Sequence, residues 1–154
     1  RLAEWGEFDL GAAKWEIPAE RMKMKQPHIV PLSRQVLEVL EELRPLTGEG
    51  VYVFKGQRPG KPLSDGTINK ALRTLGYSTK DEITAHGFRA MARTVLDEVL
   101  GFRVEWIEHQ LAHAVRDANG RAYNRTAHLE GRRQMMQAWS DYLDRLRVPP
   151  EEVD

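Results

Sequence analysis

The 154-residue chain contains no cysteine. That excludes disulfides, thiolate metal sites and cysteine nucleophiles, and it permits a cytoplasmic protein. It also has no long hydrophobic run: no stretch approaches the roughly 20 apolar residues a membrane helix needs. Neither sign of charge is in excess, with 23 basic against 23 acidic residues. The opening Arg1-Leu2-Ala3-Glu4-Trp5 carries no initiator Met and no secretory leader, and reads as the interior of a longer protein. What remains is 41% hydrophobic and 30% charged. This is the composition of one folded domain, and it argues against wholesale disorder.

The neutral total conceals an uneven distribution. Residues 19–35 hold Arg21, Lys23, Lys25 and Arg34 against Glu20. Residues 55–75 hold Lys55, Arg58, Lys61, Lys70 and Arg73 against Asp65. Residues 121–133 hold Arg121, Arg125, Arg132 and Arg133 against Glu130. Acid dominates at 36–50 and 141–154. Such segments are either solvated helix faces or parts of one basic surface.

Periodicity predicts a mainly α domain with a small antiparallel β-sheet near the N-terminus. Trp15 and Ile17, Met22 and Met24, and Ile29 and Val30 read as three short strands within residues 13–32, with Arg21, Lys23 and Lys25 on one face. Ser33 then caps a helix with Val36, Leu40 and Leu43 inward, ended by Pro45 and Gly48. Ser64 or Asp65 caps a second, carrying Ile68, Leu72 and Leu75 and stopped by Gly76. Thr84 opens a long helix with Phe88, Ala92, Val95 and Val99 inward, broken at Gly101. Val104, Ile107 and Leu111 mark a fourth. Residues 114–122 form a polar loop. A last helix over about 129–147 bears Met135, Trp139, Tyr142, Leu143 and Leu146.

Four polar features stand against this frame. Thr84-Ala85-His86-Gly87-Phe88-Arg89 puts His86 and Arg89 three apart, on one face near a helix start, where a phosphate is readily held. Leu111-Ala112-His113 ends a short helix. Ten residues on, Tyr123 stands in Ala122-Tyr123-Asn124-Arg125, flanked by Arg121 and Arg125. Lys23 lies in the basic hairpin. Singly, each is as readily a surface cation or a packed ring. In this order and spacing they resemble the tyrosine recombinase (phage integrase) family, across essentially the whole chain. The wording Ala-His-Gly-Phe-Arg and Ala-Tyr-Asn-Arg is that of prophage and genomic-island integrases.

The resemblance implies a recombinase catalytic domain over residues 1–154. Tyr123 would attack a DNA phosphate, forming a 3′-phosphotyrosyl link and releasing a 5′-hydroxyl. Arg89 and His113 would hold the phosphate, His86 would sit beside it as a hydrogen-bond donor or as a base near Tyr123, and Lys23 would protonate the leaving oxygen. No metal or other cofactor is implied, because the cations replace one. Arg21, Lys25, Arg121 and Arg125 would contact DNA. Implied partners are double-stranded attachment sites, a homotetramer assembled by exchange of the C-terminal helix, a host DNA-bending protein and a directionality factor; no membrane is involved. Two departures stand out. The family's first catalytic arginine would fall before Arg1, so this chain alone is expected to cleave poorly. Ala112 occupies a position where the family often has glycine.

Three other readings compete. His109 and His113 have the i, i+4 spacing of zinc ligands, but no Glu follows the first histidine. A non-catalytic DNA-binding module could keep the fold. A type IB topoisomerase would share the chemistry.

Overall fold

The computed structural model describes residues 1–23, 25–113 and 128–147. Three strands, β1 (Phe8–Asp9), β2 (Lys14–Ile17) and β3 (His28–Pro31), form an antiparallel sheet in that order. Helices α1 (Arg34–Thr47), α2 (Thr67–Thr74), α3 (Gly87–Thr94), α4 (Val104–Gln110) and α5 (Leu129–Arg147) follow. The mainly α class with a small N-terminal sheet is as the sequence predicts.

The sheet differs in one strand. Trp15–Ile17 and Ile29–Val30 are strands as expected, and they pair directly, with Trp15 opposite Val30. The third strand is Phe8–Asp9, and Met22 lies in no strand; Met24 lies outside the described residues. Pro18 has no N–H to continue the ladder, and Ala19–Arg21 coils into a 3-10 turn. The described residues between Pro18 and Pro27 thus connect β2 to β3. Arg21, Lys23 and Lys25 do not share a strand face.

Two cores result. Ala3, Leu32, Leu40 and Val53 are buried beneath the sheet and α1, with Trp5, Phe8 and Trp15 packed around them. Phe8 and Trp15 stack at 5.3 Å, and the indole N–H of Trp15 donates to Glu7 at 2.9 Å. Leu96, Ile107 and Met135 form the second core, edged by Phe102, Trp106 and Trp139. Gly131 is the contact that lets α5 approach α4: a Cβ there would stand 2.5 Å from the Trp106 ring. Ser33 and Ser140 hydroxyls, 2.6 Å apart, tie α1 to α5.

Ser33 caps α1 as predicted, accepting from the Val36 N–H. Pro45 does not end the helix; it sits in the last turn, where it forfeits only the bond to Glu41. Val36 is exposed, and Leu37 rather than Val36 joins Leu40 and Leu43 at the core. In α2 the cap position is Gly66, not Ser64 or Asp65, and only Leu72 is buried. Gly76, with φ +95°, ends it as predicted. The long helix from Thr84 begins three residues later, with the Thr84 hydroxyl accepting from Gly87 N–H at 3.1 Å. Its end, Val95–Val99, is a π turn. The extra residue in that turn rotates the face, so Leu96 is buried while Val99 is exposed; Phe88, in the first turn of α3, is exposed as well. In α4 Ile107 is buried but Val104 is exposed. The predicted bounds of α5 hold, but its stripe divides. Met135 and Trp139 enter the core, whereas Leu143 and Leu146 are exposed.

Arg132 corrects the charge reading. It belongs to no basic surface, being fully buried. Its guanidinium donates to the Ile29 carbonyl on β3 and, through Nε at 2.9 Å, to Gln110 on α4.

Candidate active site

The C-terminal end of α4 organises the site. Residues Glu108 to His113 form a complete Schellman turn: the Ala112 N–H bonds the His109 carbonyl at 3.1 Å, and the His113 N–H bonds the Glu108 carbonyl at 2.9 Å. Ala112 stands at the left-handed position, with φ +52°. A side chain there costs about 1 kcal/mol that glycine avoids. Ala112→Gly should therefore raise the unfolding free energy by about 1 kcal/mol in urea melts; a lowered value would contradict this turn geometry.

Helix α3 lies alongside and grips this turn twice. Arg89 donates through Nη2 to the Leu111 carbonyl. Arg93, one turn on, donates through Nε to the Glu108 carboxylate at 2.7 Å. The other Glu108 oxygen meets Nδ1 of His113. Partial burial pushes the Glu108 carboxyl up, but the hydrogen bonds and charges of His113 and Arg93 outweigh it and hold it below the ordinary carboxylate range. Upstream, the Ala85 N–H is held by Asn69 of α2 at 2.8 Å, which fixes the segment leading to His86.

Of the predicted site residues, Arg89 and His113 are brought to one place, both exposed beside the α4 end. His86 occupies the N-cap of α3, three residues before Arg89, and is exposed. Lys23 and Lys25 are exposed in the β2–β3 connection, and no hydrogen bond or ion pair among the described residues joins Lys23 to the others. Arg21 turns inward to Glu7, Glu4 and the Leu2 carbonyl. Tyr123, Arg121 and Arg125 lie outside the described residues, as does the predicted polar loop.

Glu108 and Arg93 are residues of this cluster that motif order alone does not single out. Their signal is there: Arg89 and Arg93 are i, i+4 on one helix, and Glu108 sits where a Schellman turn through Ala112 folds His113 back upon it. The same turn removes the premise of zinc binding, since His113 leaves helical register with His109, which is itself buried. No group of metal-ligating side chains that could hold an ion occurs among the described residues.

Behind the site lies His28 on β3, 2% exposed, its Nε2 3.2 Å from the Gln110 carbonyl. Burial, then the charge of Arg132, pushes its pKa down from 6.5 to about 4, against the Gln110 bond. As pH falls, the unfolded chain takes up this proton first. Stability should thus decline between pH 6.5 and 4, by up to about 3 kcal/mol from this group, and no further below its folded value. Urea midpoints across that range should slope less in His28→Gln; an equal slope would rule the contribution out.

The model of the phage integrase family matches residues 2–130 of the chain. Over 94% of its length the chain is 44% identical to an integrase of Enterobacteria phage P4, covering 36% of that protein. It is 43% identical to the prophage integrase IntA of Escherichia coli K12, with 92% and 34% covered. Identity to the integrase of Shigella phage Sf6 is 34%, with 94% and 37% covered. The chain thus spans about a third of the length of these relatives. No solved structure matches it significantly.

Proposed function

The chain belongs to the phage integrase family, and from that membership we propose that it serves site-specific DNA recombination by transesterification at Tyr123. The Tyr123 hydroxyl attacks a backbone phosphorus, giving up its proton to His86 as base. A 3′-phosphotyrosyl bond forms, and the P–O bond to the 5′-oxygen breaks. A 5′-hydroxyl of the partner strand later reverses the step. One phosphodiester is exchanged for another, so no nucleotide is consumed.

The observation that supports this best is the convergence of Arg89 and His113 on the end of α4. A guanidinium has five donors, and the bond to Leu111 uses one. The rest suit the nonbridging oxygens, where negative charge must be held in the transition state. His113, bonded to Glu108 through Nδ1–H, donates to the same phosphate through Nε2–H of the protonated ring. His86 joins them from the start of α3, and Lys23, on its exposed connection, protonates the leaving 5′-oxygen. Lys25, Arg21, Arg121 and Arg125 serve the flanking duplex in this reading. Its partners are attachment-site DNA and three further protomers joined through the C-terminal helix. No helix among the described residues is long and apolar enough to cross a membrane.

The test is strand cleavage by the natural protein that carries this chain, on nicked DNA bearing its own attachment site. Cleavage should proceed in a chelator, without nucleotide, and leave protein bound to a 3′ end. A requirement for divalent metal would overturn the mechanism.

A further inference from the structure

Glu108 is tied to His113 twice. Its carbonyl accepts the His113 N–H at 2.9 Å through the turn at Ala112, and its carboxylate meets the ring at Nδ1. The second carboxylate oxygen accepts from Arg93 at 2.7 Å, and Arg93 reaches on to Asp97 at 3.8 Å. The Glu108 side chain is 21% exposed and that of His113 47%. A sheltered carboxylate therefore backs a ring that faces solvent on its other side.

We propose that Glu108 is the positioning residue of the phosphate-binding histidine: it accepts the Nδ1–H of His113, fixes the ring plane, and in the protonated ring leaves Nε2–H as the only ring donor able to reach a phosphate. This rests on the reading of His113 given above. A carboxylate suits the place because it only accepts. One oxygen serves Arg93 and the other serves His113. A glutamine has a single acceptor oxygen and an N–H₂ group, so it satisfies one partner and turns a donor toward the other. Arg93 holds the carboxylate from behind, and Arg89, one turn earlier on α3, holds Leu111. The same helix thus sets the arginine and, through Glu108, the histidine.

The plain alternative is that Glu108 only clamps α4 to α3. Two measurements separate the readings. Nitrogen-15 spectra of the His113 ring should show the proton on Nδ1 in the neutral form, and Glu108→Gln should abolish that preference. In single-turnover cleavage by the natural protein, Glu108→Gln should slow the reaction about ten- to a hundredfold, the scale of a lost charge-assisted hydrogen bond, with DNA affinity unchanged. In a His113→Ala background, the same substitution should change almost nothing. Arg93→Met, which loosens the clamp while keeping the carboxylate on His113, should cost less cleavage than Glu108→Gln. Equal slowing by Glu108→Gln in both backgrounds, or a neutral ring protonated on Nε2 in the native chain, overturns the proposal. The ring spectrum decides it even if the Gln variant does not fold. If His113→Ala cleaves at the native rate, the assignment of His113 itself fails and the proposal falls with it.

Discussion

Replacing Arg89 with alanine should lower strand cleavage by the natural protein at least a hundredfold, while its affinity for the same DNA stays within a few-fold. A preorganised donor to developing negative charge contributes roughly 3–4 kcal/mol, mostly in the transition state. Binding depends instead on many phosphate contacts spread along the duplex. The structural cost should be small, because Arg89 is exposed and, among the described residues, its side chain makes one hydrogen bond, to the Leu111 carbonyl. Arg89→Lys should recover only part of the rate. An ammonium keeps the charge but cannot bond Leu111 and span two phosphate oxygens in one plane. Single-turnover cleavage on nicked DNA measures this directly. A rate within tenfold of native for Arg89→Ala would remove Arg89 from the chemistry.

Arg132→Ala should have the largest effect on folding, about 3–5 kcal/mol lost in urea melts. The residue is fully buried where β3, α4 and α5 meet, donating to the Ile29 carbonyl and to Gln110. Truncation leaves a cavity and strands two acceptors. Arg132→Met, which keeps most of the volume, should recover part of the loss. The neighbouring Arg133 is half-exposed, with long contacts to Ala12 and Glu130, so Arg133→Ala should cost about 0.5 kcal/mol or less. A loss below about 1 kcal/mol for Arg132→Ala would contradict its role as the pin of this junction.

Arg132 also shows where sequence reasoning stops. Composition groups it with its basic neighbours as surface charge, yet it lies three residues before Met135 and therefore on the inward stripe of α5. Spacing held the clue; composition masked it. Elements built on local rules were legible: the Ser33 cap, the Gly76 stop, and the bounds of α5 with its Met135 and Trp139. Met22 and Met24 alternate with lysines as a strand would, but Ala19–Arg21 coils into a 3-10 turn that ends at Met22, so no strand starts there. The π turn at Val95–Val99 shifted the buried face in a way no 3.6-residue period foresees. At the site, His86, Arg89 and His113 were named from motif order. Their support was not: Glu108 reaches His113 only because Ala112 adopts a left-handed conformation that alanine seldom takes.

Isolation of the protein–DNA adduct and mapping of the linked residue by mass spectrometry tests the mechanism most directly. The natural protein, trapped on nicked attachment-site DNA, should yield a single peptide carrying a 3′-phosphate of DNA on Tyr123. Tyr123→Phe should bind the same DNA and give no adduct. An adduct on another residue, a link to a 5′-phosphate, or an undiminished adduct in Tyr123→Phe would contradict the assignment of the nucleophile.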